Sequence, residues 1–573
     1  GSEYSSYIVV VSDNTIMRRA SSFDASEFPW RFLAEGKMHA CYQYASQTSD
    51  VPSPTSNITD LYRNKILRVA KSDIVSGAIA ANHLSLSSDD EECKEFPLIV
   101  PTAASSTCFP NLRYILEVVR PLLGPQYVDV PQRATISAGL AAKLWRNAID
   151  SGKIAKNRLK DWDLDDDQHF NGENNKNNNT GTCRIEATVL FDHTKISIPA
   201  SLTNCSSPSV PTSRLGGTRL SVEIKPKAGY ISCSPLIDPR RRIKLVQTKY
   251  WIHQQLMAKG RLKKGWGSLR KDDESESIAS SYNPLDLFSL EKNRIQQALR
   301  CLLEHPQNNL RVWYDGKILI GHNVQELGDF QVMFILKRLF PHITATGIIG
   351  LQDAIVETVS EVLMNEPLLL SRLHIGQTLD FIDADGAILI WKHLVQLCDG
   401  DLNKAENLVD QYQGSIQTMD DVMGDTNRTE RIGLRTLRDR IESFREEIEI
   451  VREDKKGTSD AKWLDEAYRE TSELISLLNR EESVQVLAAW LLSLSMCDLS
   501  FFVTLRSVPP APATISSLSR ESSSNIQTED SPGRFVISQG GDAPVNYFYS
   551  VKVVDCDMKP ARKLRNREEA EAA

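Results

Sequence analysis

The run Ser221–Tyr230, SVEIKPKAGY, divides this chain into two differently patterned parts. Leu220, Val222 and Ile224 give the apolar, β-branched alternation of a strand. Pro226 then removes a ladder donor and stiffens the exit, which requires an edge strand or a strand end. Upstream the chain reads mainly as strands. Trp30–Tyr44 is strand, turn, strand with Glu35-Gly36 at the turn, and Asn64–Lys71 and Ile185–Ile198 are two more. Helical spacing is found there only at Asn111–Arg120 and Ala134–Asp150. Downstream the amphipathic period is helical over Val246–Lys259, Ser289–Leu303, Val324–Leu339, Leu351–Leu370 and Asp385–Cys398. Phe535–Val554 returns to strand.

A chain of 573 residues is too long for one simple core. The pattern predicts an α+β protein with a β-rich N-lobe over 1–220, a connecting strand over 221–227 and a larger, helix-rich C-lobe over 228–573. Residues 161–182 are acidic and Asn-rich, 203–218 are Ser/Pro/Gly-rich and 507–533 are Pro/Ser-rich, so all three are expected to be disordered loops. Residues 401–485 read as a helical insertion. Within it Leu434, Leu437, Ile441, Phe444, Ile448 and Val451 step by three and four. That seam is shorter than three heptads, which favours a hairpin packed on its own domain over an intermolecular coiled coil.

The formal charge of −8 supplies no global field for anions, so any phosphate site must be a local basic cleft. No apolar run reaches about 18 residues, so no membrane span is expected. The first residues carry no basic-then-apolar signal pattern. Ten cysteines without a C-x-x-C pair suit a reducing compartment, either nucleus or cytoplasm. A monomer with no nucleic-acid partner is expected.

Several groups suggest chemistry. On a continuing strand Lys225 and Lys227 share one face, about 6–7 Å apart, and suit a polyanion. Taken alone, such a pair is more often a solvated strand face. Asp498 lies in LSLSMCDLSFFV, where an acid is a cap, an ion-pair member or catalytic. VVDCD sets Asp555 and Asp557 two apart at a strand end, which suits Mg²⁺ or else a solvated turn. Lys249 and His253 share a helix face. Arg68 points opposite Leu67 and Val69, towards a cleft or water. There is no G-x-x-x-x-G-K-[ST] string, so a P-loop is not expected; Ala34–His39, AEGKMH, reads equally as a plain hairpin or as a phosphate-covering turn. The H-R-D and D-F-G strings of protein kinases are absent.

Taken in order, EIKPK, HQ, NPLDLFS, NNLRV, CDLS and DCDMKP resemble the inositol-pentakisphosphate 2-kinase family, with interruptions from about Trp30 to Lys563. The resemblance implies a two-lobed, kinase-like fold. It implies ATP-dependent phosphorylation of the 2-hydroxyl of inositol 1,3,4,5,6-pentakisphosphate, giving the hexakisphosphate. Asp498 is then the catalytic aspartate. Gly36, Arg68 and Arg311 contact the ATP phosphates, His193 and Glu223 lie near adenine and ribose, and Val554 lines the nucleotide pocket. Asp555 is the Mg²⁺ ligand, with Asp498 approaching the metal. Arg133, Lys225, Lys227, Lys249, His253, Asn308, Asn309, Lys559 and Lys563 are implied substrate contacts. The string YNPLDLFS reads as structural, with Asp286 as cap or buttress.

The chain departs from the family at His39, where the family has Asn, and at Lys249, where it has Arg. Met257 replaces a lysine, with Lys259, Arg261, Lys263 or Lys264 as candidate substitutes. The tail after Leu564 lacks the family's aromatic residue. Plant members bind zinc in this part of the chain, but only His393 and Cys398 stand nearby here, so no structural zinc is expected. The insertion suggests a lineage-specific, fungal addition. The competing readings are a module that only binds inositol polyphosphates and a kinase acting on a protein or another inositol. Asp498 and Asp555 favour the enzyme, because a pure binder needs neither.

Overall fold

The computed structural model describes residues 30–35, 39–44, 65–70, 110–137, 144, 184–191, 193, 219–259, 279–321, 327–415, 432–453, 461–508, 534–538 and 545–572. The turn glycine Gly36, the loops expected at 161–182 and 203–218, and the loop expected at 507–533 from 509 onward lie outside these residues. The chain divides into two compact units. One comprises residues 1–108 with 130–192, and the other residues 109–129 with 193–573.

The first unit is built on a five-stranded antiparallel sheet. Its strands are β1 (Trp30–Glu35), β2 (His39–Tyr44), β3 (Lys65–Ala70), β4 (Gln132–Ser137) and β5 (Arg184–Phe191), in the order β1-β2-β3-β5-β4. The helical reading of Ala134–Asp150 fails at its start, because Ala134–Ser137 belong to β4. Thr135 and Ile136 are β-branched, and pairing with β5 outweighs the local helical spacing. Leu144 is helical as expected. The register sets Cys41, Arg68, Thr188 and Arg133 in one transverse row.

The second unit holds a six-stranded antiparallel sheet. Its strands are β6 (Arg219–Ile224), β7 (Leu310–Tyr314), β8 (Lys317–Ile320), β9 (Ser500–Val508), β10 (Arg534–Ser538) and β11 (Val545–Val554), in the order β10-β11-β9-β6-β7-β8. Of the two positions Pro226 allows, the strand end is the one observed. β6 is an interior strand between β9 and β7, and the proline lies beyond its last residue. Leu220, Val222, Ile224, Phe501, Val503 and Leu505 put one continuous apolar face into the main core.

Helices pack around this sheet. Those used below are α1 (Lys249–Ala258), α2 (Pro367–Thr378), α3 (Asp383–Leu397), α4 (Ile432–Glu453), α5 (Ala461–Leu474) and α6 (Arg480–Asp498). α6 starts with a capping box in which Asn479 and Glu482 satisfy each other's backbone N–H groups. It then runs through the core, carrying buried Trp490, Leu491, Leu492 and Met496. Residues 110–129 also pack in this unit. The Val553 N–H donates to the Tyr127 carbonyl at 2.7 Å. The buried Glu366 carboxylate accepts from the hydroxyls of Tyr127 and Tyr549. This ties α2 to both a connecting segment and a sheet strand.

The short seam reads correctly as an internal packing face. Leu434, Leu437, Ile441, Phe444 and Ile448 on α4 are all buried. Leu464 and Ala467 of α5, with Ile237 and Leu245, close over Phe444 and Ile448. The Phe444 and Trp463 rings stand 5.6 Å apart. Arg452 near the end of α4 donates to the carbonyls of Leu245 and Ser232. Truncating Phe444→Ala is expected to cost about 3–5 kcal/mol through lost burial and a residual cavity. A urea titration followed by circular dichroism would show the midpoint falling; an unmoved midpoint would contradict the packing.

Candidate functional site

The register of three strands gathers the site. β9 begins at Ser500, directly after α6 delivers Asp498. On one side β6 runs antiparallel and ends with Ile224 opposite Phe501. On the other β11 ends with Val554 opposite Ser500. The segments leaving β6 and β11 therefore emerge beside the segment entering β9. Lys225–Lys227, Asp555–Lys559 and Asp498 meet at one end of the sheet.

Their charges are interleaved. The Lys559 ammonium lies 2.8 Å from the Asp498 carboxylate, and Lys225 lies 3.8 Å from Asp555. Both carboxylates remain about half exposed, at 52% and 49%, so they are reachable from solvent. Burial pushes the Asp498 carboxyl up, but Lys559, Lys563 and Lys227 outweigh it and hold the group below the usual carboxylate range. Burial lowers the Lys227 ammonium; Lys225 and Lys559 add to that and Asp498 opposes it. His253 is lowered by burial and by Lys227, which places its ring in the same field.

Simple alternation does not account for the two lysines. The strand stops at Ile224, and Lys227 adopts a left-handed backbone with φ of 61°. The lysines belong instead to a turn whose backbone is held from several sides. The Lys225 N–H donates to the Asn309 carbonyl at 2.8 Å. The Tyr282 hydroxyl donates to the Pro226 carbonyl at 2.8 Å. Gly229 lies so close to the Phe288 ring that any Cβ there would overlap it. Tyr282 and Phe288 come from YNPLDLFS, so that string is structural in a specific sense: it clamps the lysine turn. Asn283 caps its short helix, and Arg294 grips Asp286.

The other expected site residues divide into groups. Asn309 is buried and donates to the Tyr250 hydroxyl at 2.9 Å, while Asn308 is exposed. His253 is exposed on α1. Lys249, on the same helix, is committed to Asp380 at 2.7 Å and Asp383 at 3.0 Å, with its ammonium 5.4 Å from the centre of the Tyr230 ring. Its charge is thus compensated inside the protein. Burial works against the charged form, but Asp380, Tyr230 and Asp383 prevail and raise the Lys249 ammonium well above its ordinary range. Lys244 joins the cluster through Asp383 and Asp385. Sequence reasoning missed these three acids, although their signal was present as three aspartates within the otherwise apolar LDFIDADGAILI.

On the strand face, Arg311 pairs with Glu223 at 3.2 Å across β6 and β7, and the Ser500 hydroxyl donates to the same carboxylate. The His193 carbonyl accepts from Thr504, and its ring lies 6.2 Å from Phe502 and 3.9 Å from Asp129. Val554 is half-buried at the end of β11. Arg68 and Arg133 belong to the first unit, in the row described above. His393 makes a hydrogen bond with the Leu478 carbonyl and Cys398 is buried in the core. Among the described residues no group of three or more His, Cys, Asp or Glu is placed to hold a metal ion, and no helix is long and apolar enough to cross a membrane.

Comparison with known proteins points one way. A family model described as inositol-pentakisphosphate 2-kinase matches residues 32–573. The chain is 27% identical over 387 residues to the inositol-pentakisphosphate 2-kinase of Arabidopsis thaliana, covering 65% of this chain and 70% of the relative. It is 26% identical over 367 residues to that of Oryza sativa subsp. indica, covering 64% and 69%. A shorter match to that of Danio rerio is 35% identical over 127 residues, covering 22% and 23%.

The field around Asp498 can be tested directly. Lys559 favours the charged carboxylate, so Lys559→Met should move the Asp498 titration to higher pH. A carboxyl ¹³C NMR titration would read this, with Asp498→Asn identifying the resonance. An unmoved titration would mean that Lys559 is not the dominant neighbouring charge.

Proposed function

The chain belongs to the inositol-pentakisphosphate 2-kinase family, and we propose that it transfers the γ-phosphoryl group of ATP to the 2-hydroxyl of inositol 1,3,4,5,6-pentakisphosphate. The observation that carries this reading is the sheet end itself, where an ionised, reachable Asp498 is set among Lys227, Lys559 and Lys563, with Lys225 beside Asp555. Five phosphates carry a charge of roughly −8 to −10, at about −1.5 to −2 each. A ligand of that charge needs several cations from different segments, and strand register supplies them at this one place.

Asp498 is held below the usual carboxylate range, so it is ionised at neutral pH and acts as an acceptor rather than a strong base. It accepts the hydrogen bond of the acceptor hydroxyl and turns that oxygen towards the γ-phosphorus. The new phosphorus–oxygen bond forms as the bond to the β-phosphate bridging oxygen breaks. The hydroxyl proton leaves towards Asp498, and ADP carries away the electron pair. Lys225, Lys227, Lys559 and Lys563, with His253 and Asn308, hold the inositol phosphates. Asn309 and Lys249 serve the same site from behind, through the turn and the acid cluster.

Glu223, Arg311, His193 and Val554 form the nucleotide side of a two-lobed, kinase-like fold. Asp555, a half-exposed carboxylate just beyond a strand, fits Mg²⁺, which takes one or two protein carboxylates plus phosphate oxygens. Asp498 can approach the same ion. When bound, the ion neutralises charge on the transferring phosphates. Cys233, Cys301, Cys398, Cys497 and Cys556 form no disulfide, which suits nucleus or cytoplasm.

Purified protein with Mg-ATP and the pentakisphosphate should form hexakisphosphate. Asp498→Asn should lower kcat about 10²–10⁴-fold with KM little changed; turnover at the wild-type rate would remove Asp498 from the mechanism. Lys225→Ala and Lys227→Ala should each raise KM for the pentakisphosphate about 10–100-fold, from loss of about 1.5–3 kcal/mol of charged hydrogen bonding. If both left KM unchanged, the substrate would lie elsewhere.

A further inference from the structure

Lys227 needs support that its own side chain cannot give. A left-handed backbone costs a residue with a Cβ about 1–2 kcal/mol and persists only where neighbours over-determine it. The turn lies against the C-terminal end of α2, where Gln377 is completely buried. The Gln377 amide donates to the Lys227 carbonyl at 2.8 Å and to the Met496 carbonyl at 3.3 Å. Its amide oxygen accepts from the Gly229 N–H at 2.8 Å. The Gln377 backbone carbonyl in turn accepts from the Ser493 hydroxyl at 2.6 Å. One side chain therefore grips the exit of the lysine turn, at Lys227 and Gly229, and the last turn of α6, two residues before Asp498.

The close approach of α2 and α6 makes this reach possible. A Cβ at Gly376 would stand 2.7 Å from Met496 Cγ, so a larger residue would push the helices apart. Two donors and one acceptor are needed in one planar group, and among side chains only an amide offers that set. Methionine would fill the space but leave two buried carbonyls and one N–H without a partner. Glutamate would present acceptors to two carbonyls when ionised.

We propose that Gln377 is a positioning residue for phosphoryl transfer, fixing Lys227 relative to Asp498 by tying the left-handed lysine turn to the end of the helix that carries the acid. The inference rests on the reading of Lys227 as a substrate contact and Asp498 as the catalytic aspartate. Gln377 touches neither substrate nor reacting atoms, so its effect must pass through those two.

The test is steady-state kinetics on the full chain, with thermal unfolding measured alongside. Gln377→Met should raise KM for the pentakisphosphate at least about tenfold and lower kcat, with KM for ATP unchanged, as expected when a charged contact is displaced by about 1 Å. A lower melting temperature with both KM values at wild type would overturn the proposal, leaving only a packing role. Should that variant not fold, Gln377→Glu carries the test. Burial raises a carboxyl pKa, and only the neutral acid can donate to a carbonyl. The ratio of mutant to wild-type KM for the pentakisphosphate should therefore fall as pH is lowered from about 8 to about 6; a ratio independent of pH would overturn the proposal. Lys227→Ala distinguishes the two levels, because wild-type KM there would remove the underlying role of Lys227 itself.

Discussion

Everything at the charged end of the second unit depends on the hydrogen bonding of β9 to β6 on one side and β11 on the other. Those two ladders bring Ile224, Phe501, Ser500 and Val554 into adjacent positions, although the chain between them is very long. A slip of one residue in either ladder would turn its side chains to the opposite face of the sheet. The apolar residues of β6 and β9 make such a slip costly, because their inward faces form the main core. The core thus sets the register, and the register sets where the charged segments emerge.

The electrostatics of that end are balanced by neighbours of both signs. Lys227 feels Lys225 and Lys559 as well as Asp498, and Asp498 feels three lysines. The cations would repel one another without the acids, and Asp498 would be protonated more readily without the lysines. A second arrangement lies behind the first, where Lys249 and Lys244 are bound to Asp380, Asp383 and Asp385. Tyr230 donates to Asp380 at 2.8 Å and links that cluster to the chain leaving the lysine turn. Cys497, beside Asp498, has its thiol pushed up to about 12 by burial, so it stays protonated and inert at neutral pH.

Much of this was legible because the informative strings sit where strands end. EIKPK and DCDMKP carry charge just after apolar alternation and CDLS just before it, and in the structure each marks an entry to or exit from β6, β9 or β11. The α4 seam was legible for a similar reason, since its period of three and four is local. What the residues alone did not reveal was non-local. Lys249 looked available because its partner Asp380 is 131 positions away. The positive φ of Lys227 follows from its supports and has no compositional mark, so alternation placed that lysine for the wrong reason. The start of Ala134–Asp150 looked helical because cross-strand pairing with β5 is invisible to a local period.

The buried cluster of Lys244, Lys249, Asp380, Asp383 and Asp385 has a thermal consequence. The cost of stripping water from charged groups falls as temperature rises, whereas hydrophobic stabilisation levels off. Heating therefore strengthens the ion pairs beneath the lysine turn relative to the apolar packing around them. The floor that carries Tyr230 should then soften later than the helices that surround it, keeping this corner ordered as the rest of the unit begins to loosen.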